Sequence, residues 1–174
     1  RCIPRLAMLL LALGWGCNAA TSEPAVPSTI VAVSPDSISG IVGIAVTPVP
    51  TVIVRDQFNA TLPGVEVLFA VVDGGGVVEG ARVVTDAQGR ASPIAWILGP
   101  TVGANHLSAS TAHPPVVIFT SSGSPGSVAV LTKTFGTDGQ TAIVGTSVRL
   151  PPAVRVADRF GNPVPGVAVT FSVT

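Results

Sequence analysis

An all-β protein built of tandem β-sandwiches is what the sequence predicts, on three observations: Val-rich runs that alternate apolar with polar residues, abundant Gly and Pro between them, and a pattern that returns at a fixed distance. Hydrophobic residues make up 47% of the 174, charged residues only 10%, and 19 Gly with 16 Pro punctuate the rest, which is the composition of many short strands and many turns. Val65-Glu66-Val67-Leu68-Phe69-Ala70-Val71 shows the alternation plainly, and after residue 20 no long segment spaces its apolar residues at helical intervals.

The first element reads as an export signal. Arg1 and Arg5 make a basic start, residues 6–13 form an apolar stretch, and the small residues Gly14, Gly16, Ala19 and Ala20 follow, so residues 1–20 have the layout of a secretory signal peptide. The apolar stretch is well short of the roughly 20 residues that span a bilayer as a helix. Leu13-Gly14-Trp15-Gly16-Cys17 resembles a lipoprotein signal, with Leu one residue further from the cysteine than that pattern places it. Cys17 is thus the expected lipidation site, and ordinary cleavage near Ala19 or Ala20 is the alternative. Residues 21–28, rich in Ala, Thr, Ser and Pro, read as a short linker. Both cysteines, Cys2 and Cys17, lie in this leading part, which leaves the sandwiches to hold by packing alone.

The repeat comes next. Ile41-Val42-Gly43 returns as Ile143-Val144-Gly145, and Val52-x-Val54-x-Asp56-x-Phe58 as Val154-x-Val156-x-Asp158-x-Phe160, each 102 residues on. Pro63-Gly64-Val65-x-Val67-x-Phe69-x-Val71 returns in the same register as Pro165-Gly166-Val167-x-Val169-x-Phe171-x-Val173. The first unit is placed at residues 29–123 and the second at 127–174, with 124–126 as linker; the wider stretch from Ser121 to Gly126 also has linker composition, giving beads on a string. A unit of about 100 residues is the size of an immunoglobulin-like sandwich. The second unit stops where the first is about half complete, so the reading is one whole sandwich and the first half of another, with the protein expected to continue past Thr174.

Strands are expected near residues 30–33, 41–44, 51–55, 65–72, 81–84, 94–98, 106–109 and 116–120. Asp86-Ala87-Gln88-Gly89 and Leu62-Pro63-Gly64 supply turns between them. Because alternate side chains share a face, the expected core is Val52, Val54, Val65, Val67, Phe69, Val71, Ile94, Trp96, Leu98, Leu107 and Phe119. Pro93 cannot donate to a ladder and is expected at a bulge before the Trp96 strand.

These residues resemble the bacterial immunoglobulin-like repeats related to those of invasin and intimin, the group-one Big domains. The resemblance rests on Val54-x-Asp56-x-Phe58, Pro63-Gly64-Val65-x-Val67-x-Phe69, Gly74-Gly75-Gly76, Thr85-Asp86-x-x-Gly89-x-Ala91, Trp96-x-Leu98-Gly99 and Gly103-x-Asn105. It covers nearly everything after Ser28. Asp158-Arg159-Phe160-Gly161-Asn162-Pro163-Val164-Pro165-Gly166 fits still better, where the first unit has Asn59-Ala60-Thr61-Leu62; that departure reads as a changed turn and not as a changed site. The resemblance implies a stalk or spacer projecting from the cell, with a cell-adhesion role and a host or cell-surface ligand, and no catalytic centre. An accessory domain of a secreted hydrolase or carbohydrate-binding protein is the alternative.

Nine Lys plus Arg balance nine Asp plus Glu, so no basic field exists to attract nucleic acid. The expected partners are neighbouring repeats of the same chain and, through a lipid on Cys17, the membrane; the expected place is the outer membrane or cell surface, with the periplasm or medium as alternatives. Asp56 and Asp158 stand at equivalent strand ends and are the only calcium candidates the pattern offers, but each is a lone carboxylate, which suits a turn-capping hydrogen bond better than an oxygen-rich cation site. His106 and His113 have no Cys or Glu at metal spacing, and Gly74-Gly75-Gly76 lacks the Lys and Ser or Thr of a phosphate loop. No nucleophile elbow is present, and no cofactor is expected.

Overall fold

In a β-strand every second side chain faces the same way, and the burial of this chain follows that period. The computed structural model describes residues 23–112 and 115–173, so the expected signal peptide, Cys17 and His113 lie outside the described residues. Twelve strands and no helix occur among them: β1 (Pro27–Ala32), β2 (Ser37–Ile41), β3 (Val52–Asp56), β4 (Glu66–Asp73), β5 (Val77–Glu79), β6 (Arg82–Val84), β7 (Arg90–Ala91), β8 (Ala95–Ile97), β9 (Gly103–Ser110), β10 (Val116–Ser124), β11 (Val128–Lys133) and β12 (Val154–Asp158). The protein is all-β.

The first unit packs a sheet of order β1-β3-β7 against a sheet of order β2-β10-β9-β4-β6. Pairing is antiparallel except between β2 and β10, which run parallel. Val52 and Val54 of β3, Val67 and Phe69 of β4, Leu107 and Ala109 of β9 and Phe119 of β10 meet in one buried cluster with Trp96 and Leu98. Val65 and Val71 are half-buried against it. At roughly 1.5 to 3 kcal/mol for each large side chain buried, such a cluster supports a domain with no disulfide.

Three details differ from the sequence expectations. Ile94 is 75% exposed instead of sharing the Trp96 face. Its amide is held to the Glu79 carbonyl at 2.9 Å before β8 begins, and its side chain lies over Gly80, so alternation starts only at Ala95. No bulge interrupts the pairing of β5 with β8, and Pro93 is buried just ahead of β8. Residues 41–44 are mostly a turn closed by Ile44 N–H to Ile41 O at 3.1 Å; the strand lies earlier, in β2, where Ile38 alone points into the core.

A further difference concerns the linker. Ser121–Ser124 pairs with β2 and, as far as Gly123, with β9, so β10 runs on to the very edge of the second unit. Ser, Gly and Ser side chains in a strand carry no apolar signal, which is why composition reads them as linker. Only residues 125–127 separate β10 from β11.

In the second unit β11 pairs with β12 in the register that β1 uses with β3, and both ladders carry the same irregularity, between Pro27 and Thr29 and between Val128 and Val130. Beyond β12, the segment matching β4 has no ladder partner among the described residues, and Phe171 is 58% exposed where Phe69 is 1% exposed.

Candidate functional site

A carboxylate at the end of a strand can accept hydrogen bonds from the backbone amides just ahead of it and so fix a tight turn. Among the described residues three places use that device. Asp56 Oδ1 accepts the N–H groups of Phe58 (2.9 Å) and Ala60 (2.8 Å), Asp86 Oδ1 those of Gln88 (2.9 Å) and Arg90 (2.8 Å), and Asp158 Oδ1 those of Phe160 and Asn162 (both 2.9 Å). In each turn the Asp amide bonds the carbonyl four residues on, at 2.9 Å. The fourth residue is left-handed in all three, with φ of 66° at Asn59, 73° at Gly89 and 86° at Gly161. Asn and Gly are the residues that adopt this conformation at least cost, and they are what the sequence supplies.

The Asp158 turn does more than reverse the chain, because it meets the first unit. Asp158 Oδ2 accepts the Gly126 N–H at 3.0 Å, tying the segment between the units to β12. Asn162 Nδ2 donates to Asp158 Oδ2 at 2.9 Å and to the Pro100 carbonyl at 2.7 Å, while Asn162 Oδ1 accepts the Val102 N–H at 3.3 Å. Phe160 lies on Gly43, where an added Cβ would come within 2.6 Å of the ring, and Arg159 stacks on Phe160 at 4.5 Å while reaching the Gly43 carbonyl. Gly43 itself has φ 69°. Its repeat counterpart Gly145 has nothing within 4 Å of its Cβ position. The loop that receives Asn162 is braced from within: buried Asn105 accepts the Gly99 N–H at 3.0 Å and donates to the Gly103 carbonyl at 3.2 Å. A cleft of about 320 Å³ opens beside the joint, lined by Ile41, Val42, Ile44, Val128 and Phe160 among others.

The joint is polar at its centre and closed to solvent. Asp158 is fully buried and Asn162 nearly so. Burial by itself would raise the Asp158 carboxyl, but the hydrogen bonds from the Asn162 side chain and from the amides of Gly126, Asn162 and Phe160 outweigh it and hold the pKa at about 2, against an ordinary 3.8. Every group facing this carboxylate is an N–H donor, so a cation would have to displace a complete set of bonds to bind there.

The other sequence candidates are scattered. Asp56 is buried at its own turn, and residues 57–60 of that turn bring no second carboxylate. His106 pairs with Asp73 at 2.7 Å on the surface. Trp96 is wholly buried, so it offers no platform to a sugar. Among the described residues no three His, Cys, Asp or Glu side chains gather as a metal site would require, and no helix is long and apolar enough to cross a membrane.

Sequence reasoning missed Asn162, Pro100, Val102, Gly126 and Gly43 as parts of one site. The signal was present in a stretch where the units differ, Ala60 against Asn162. That difference sits in a turn of conserved geometry, and it decides whether the turn can hold a neighbour.

No protein-family model matches the chain, and no curated protein matches it. Among solved structures it is similar to domains 5-6 of the S-layer protein SbsC, at 16% identity and TM-score 0.46, over 80% of this chain and 66% of that one. It is similar to domains 4-9 of the surface layer protein SbsC at 17% identity and TM-score 0.46, over 81% of this chain and 21% of that one. It is also similar to the D00-D0 domain of intimin, at 20% identity and TM-score 0.37, over 59% of this chain and 50% of that one. The chain spans less than two thirds of the length of each of these structures.

Proposed function

We propose that this chain is an exported structural module of the cell envelope or surface, in which sandwich units act as a stalk or spacer that carries an adhesive partner region away from the membrane. The observation that supports this most is the joint. A spacer sets a distance only if its units resist bending against each other, and the buried Asp158 and Asn162 link β12 to the linker and to two backbone groups of the first unit. Residues 1–20 supply the export signal in this reading, and a lipid on Cys17 the anchor. The module is read as non-enzymatic.

The experiment is surface shaving. An epitope inserted at the exposed residues 87–88 should be lost when intact cells are treated with protease, and a palmitate analogue should label the wild type and not Cys17→Ala. Protection of the epitope until the envelope is broken would overturn the surface reading. Equal labelling of the Cys17→Ala variant would overturn the anchor.

A further inference from the structure

The two ends of the joint are chemically unlike, and one of them exists in only one of the two units. On the first unit's side the contacts are backbone groups: the Pro100 carbonyl, the Val102 amide and the bare face of Gly43, held in place by Asn105 behind the loop. On the second unit's side they are the side chains of Arg159, Phe160 and Asn162, carried on the Asp158 turn. The first unit has the same turn with the same Asp and Phe, but Gln57 and Ala60 replace Arg and Asn. Ala60 has no group to bond a neighbour, Phe58 is 63% exposed, and Gln57 instead clasps its own lead, donating to the Pro24 carbonyl and accepting the Val26 amide, both at 2.9 Å.

We infer that the five-residue turn Asp-Arg-Phe-Gly-Asn is a docking plug, that Gly43 with the Pro100–Val102 backbone is its socket, and that the pair makes a directional joint which fixes the second unit onto the first. The first unit, with Asp-Gln-Phe-Asn-Ala, is a socket without a plug. Its partner is therefore a following repeat of this chain that carries the plug sequence, and its own front edge is left on a self-clasped lead. Donor and acceptor counts agree with this assignment. Asn162 uses its oxygen on one N–H and its amide group on Asp158 and Pro100, so its polar atoms are satisfied only when the socket is present. Inside the closed joint a missing partner on that amide would cost more than it would in solvent, and the Pro100 carbonyl and Val102 amide supply the partners it needs.

The inference deepens the spacer reading but stands apart from it in its test, since docking is read on purified protein and surface display on cells. Residual dipolar couplings are measured for the amides of β3 and β12 in the whole chain. One alignment tensor should fit both strands in the wild type. The triple variant Arg159→Gln/Gly161→Asn/Asn162→Ala gives the second unit the first unit's turn, a sequence that holds this geometry at Asp56. In it the β12 couplings should leave the tensor that fits β3, for a second tensor or, because the second unit relies on its neighbour, for the near-zero values of an averaged chain. Gly43→Val, which blocks the Phe160 seat from the other side, should do the same. Two tensors in the wild type, or one tensor retained in both variants, would overturn the inference.

Discussion

The two units set the same seven-residue stretch to different work. Val52-x-Val54-x-Asp56-x-Phe58 and Val154-x-Val156-x-Asp158-x-Phe160 pair with their preceding strands in one register and close with the same Asp-capped turn. Around the first copy a complete pair of sheets buries Val67 and Phe69, and the turn ends in solvent at Phe58 and Ala60. Around the second copy Val169 and Phe171 remain open, yet the turn is sealed, with Asp158 at 0% exposure. Local sequence therefore determines the turn, and what the turn meets determines its role. One unit is stabilised by its core and the other by its neighbour.

The largest expected effect separates these two sources of stability. Residues 27–126 alone should unfold in one cooperative transition, whereas 127–174 alone should show none, because an uncovered apolar face and free strand edges cannot hold a two-stranded ladder. A cooperative transition in the second fragment would break the comparison. Single side chains should follow the same divide. Phe69→Ala should cost the first unit about 3–5 kcal/mol in chemical denaturation, and Phe171→Ala less than about 0.5 kcal/mol.

The pH response sharpens the difference at the joint. Asp158 titrates at about 2 in the folded chain against an ordinary 3.8, so folding favours its charged form. The stabilisation is complete above about pH 4 and is lost as pH falls from 3.8 through about 2. Common tumbling of the units, read by amide relaxation in β3 and β12, should disappear in that window, and in Asp158→Asn it should be weakened at neutral pH. Smallest of all is the turn residue itself: Asn59→Gly should change stability by less than about 0.5 kcal/mol, because both residues accept the left-handed position that Gly161 holds in the repeat.

Much of this architecture can be read from the chain because strand alternation and Asp-x-x-Gly turns are local. Val52, Val54, Val67, Phe69, Leu107 and Phe119 declare their face by spacing, and Trp96 does so within a strand of three residues. Ile94 does not, since its exposure follows from a backbone bond to Glu79 across the sheet. β7 and the end of β10 are equally silent. Two residues in β7, and Ser-Ser-Gly-Ser in β10, are strands only because partners lie beside them. The joint is harder still, as its first half is backbone. Pro100, Val102 and Gly43 present carbonyls, an amide and a missing side chain, which no motif records, and Asn162 is legible only as a departure between repeats.

The central claim is that the Asp158 turn is locked to the first unit, and the Gly126 amide reports on it most directly. That N–H lies outside any strand and bonds the Asp158 carboxylate at 3.0 Å. Native-state hydrogen exchange should find it protected in the whole chain and released to the free-peptide rate in Asp158→Ala, while the β9 and β10 amides stay protected in both. Free-peptide exchange at Gly126 in the wild type would contradict the account.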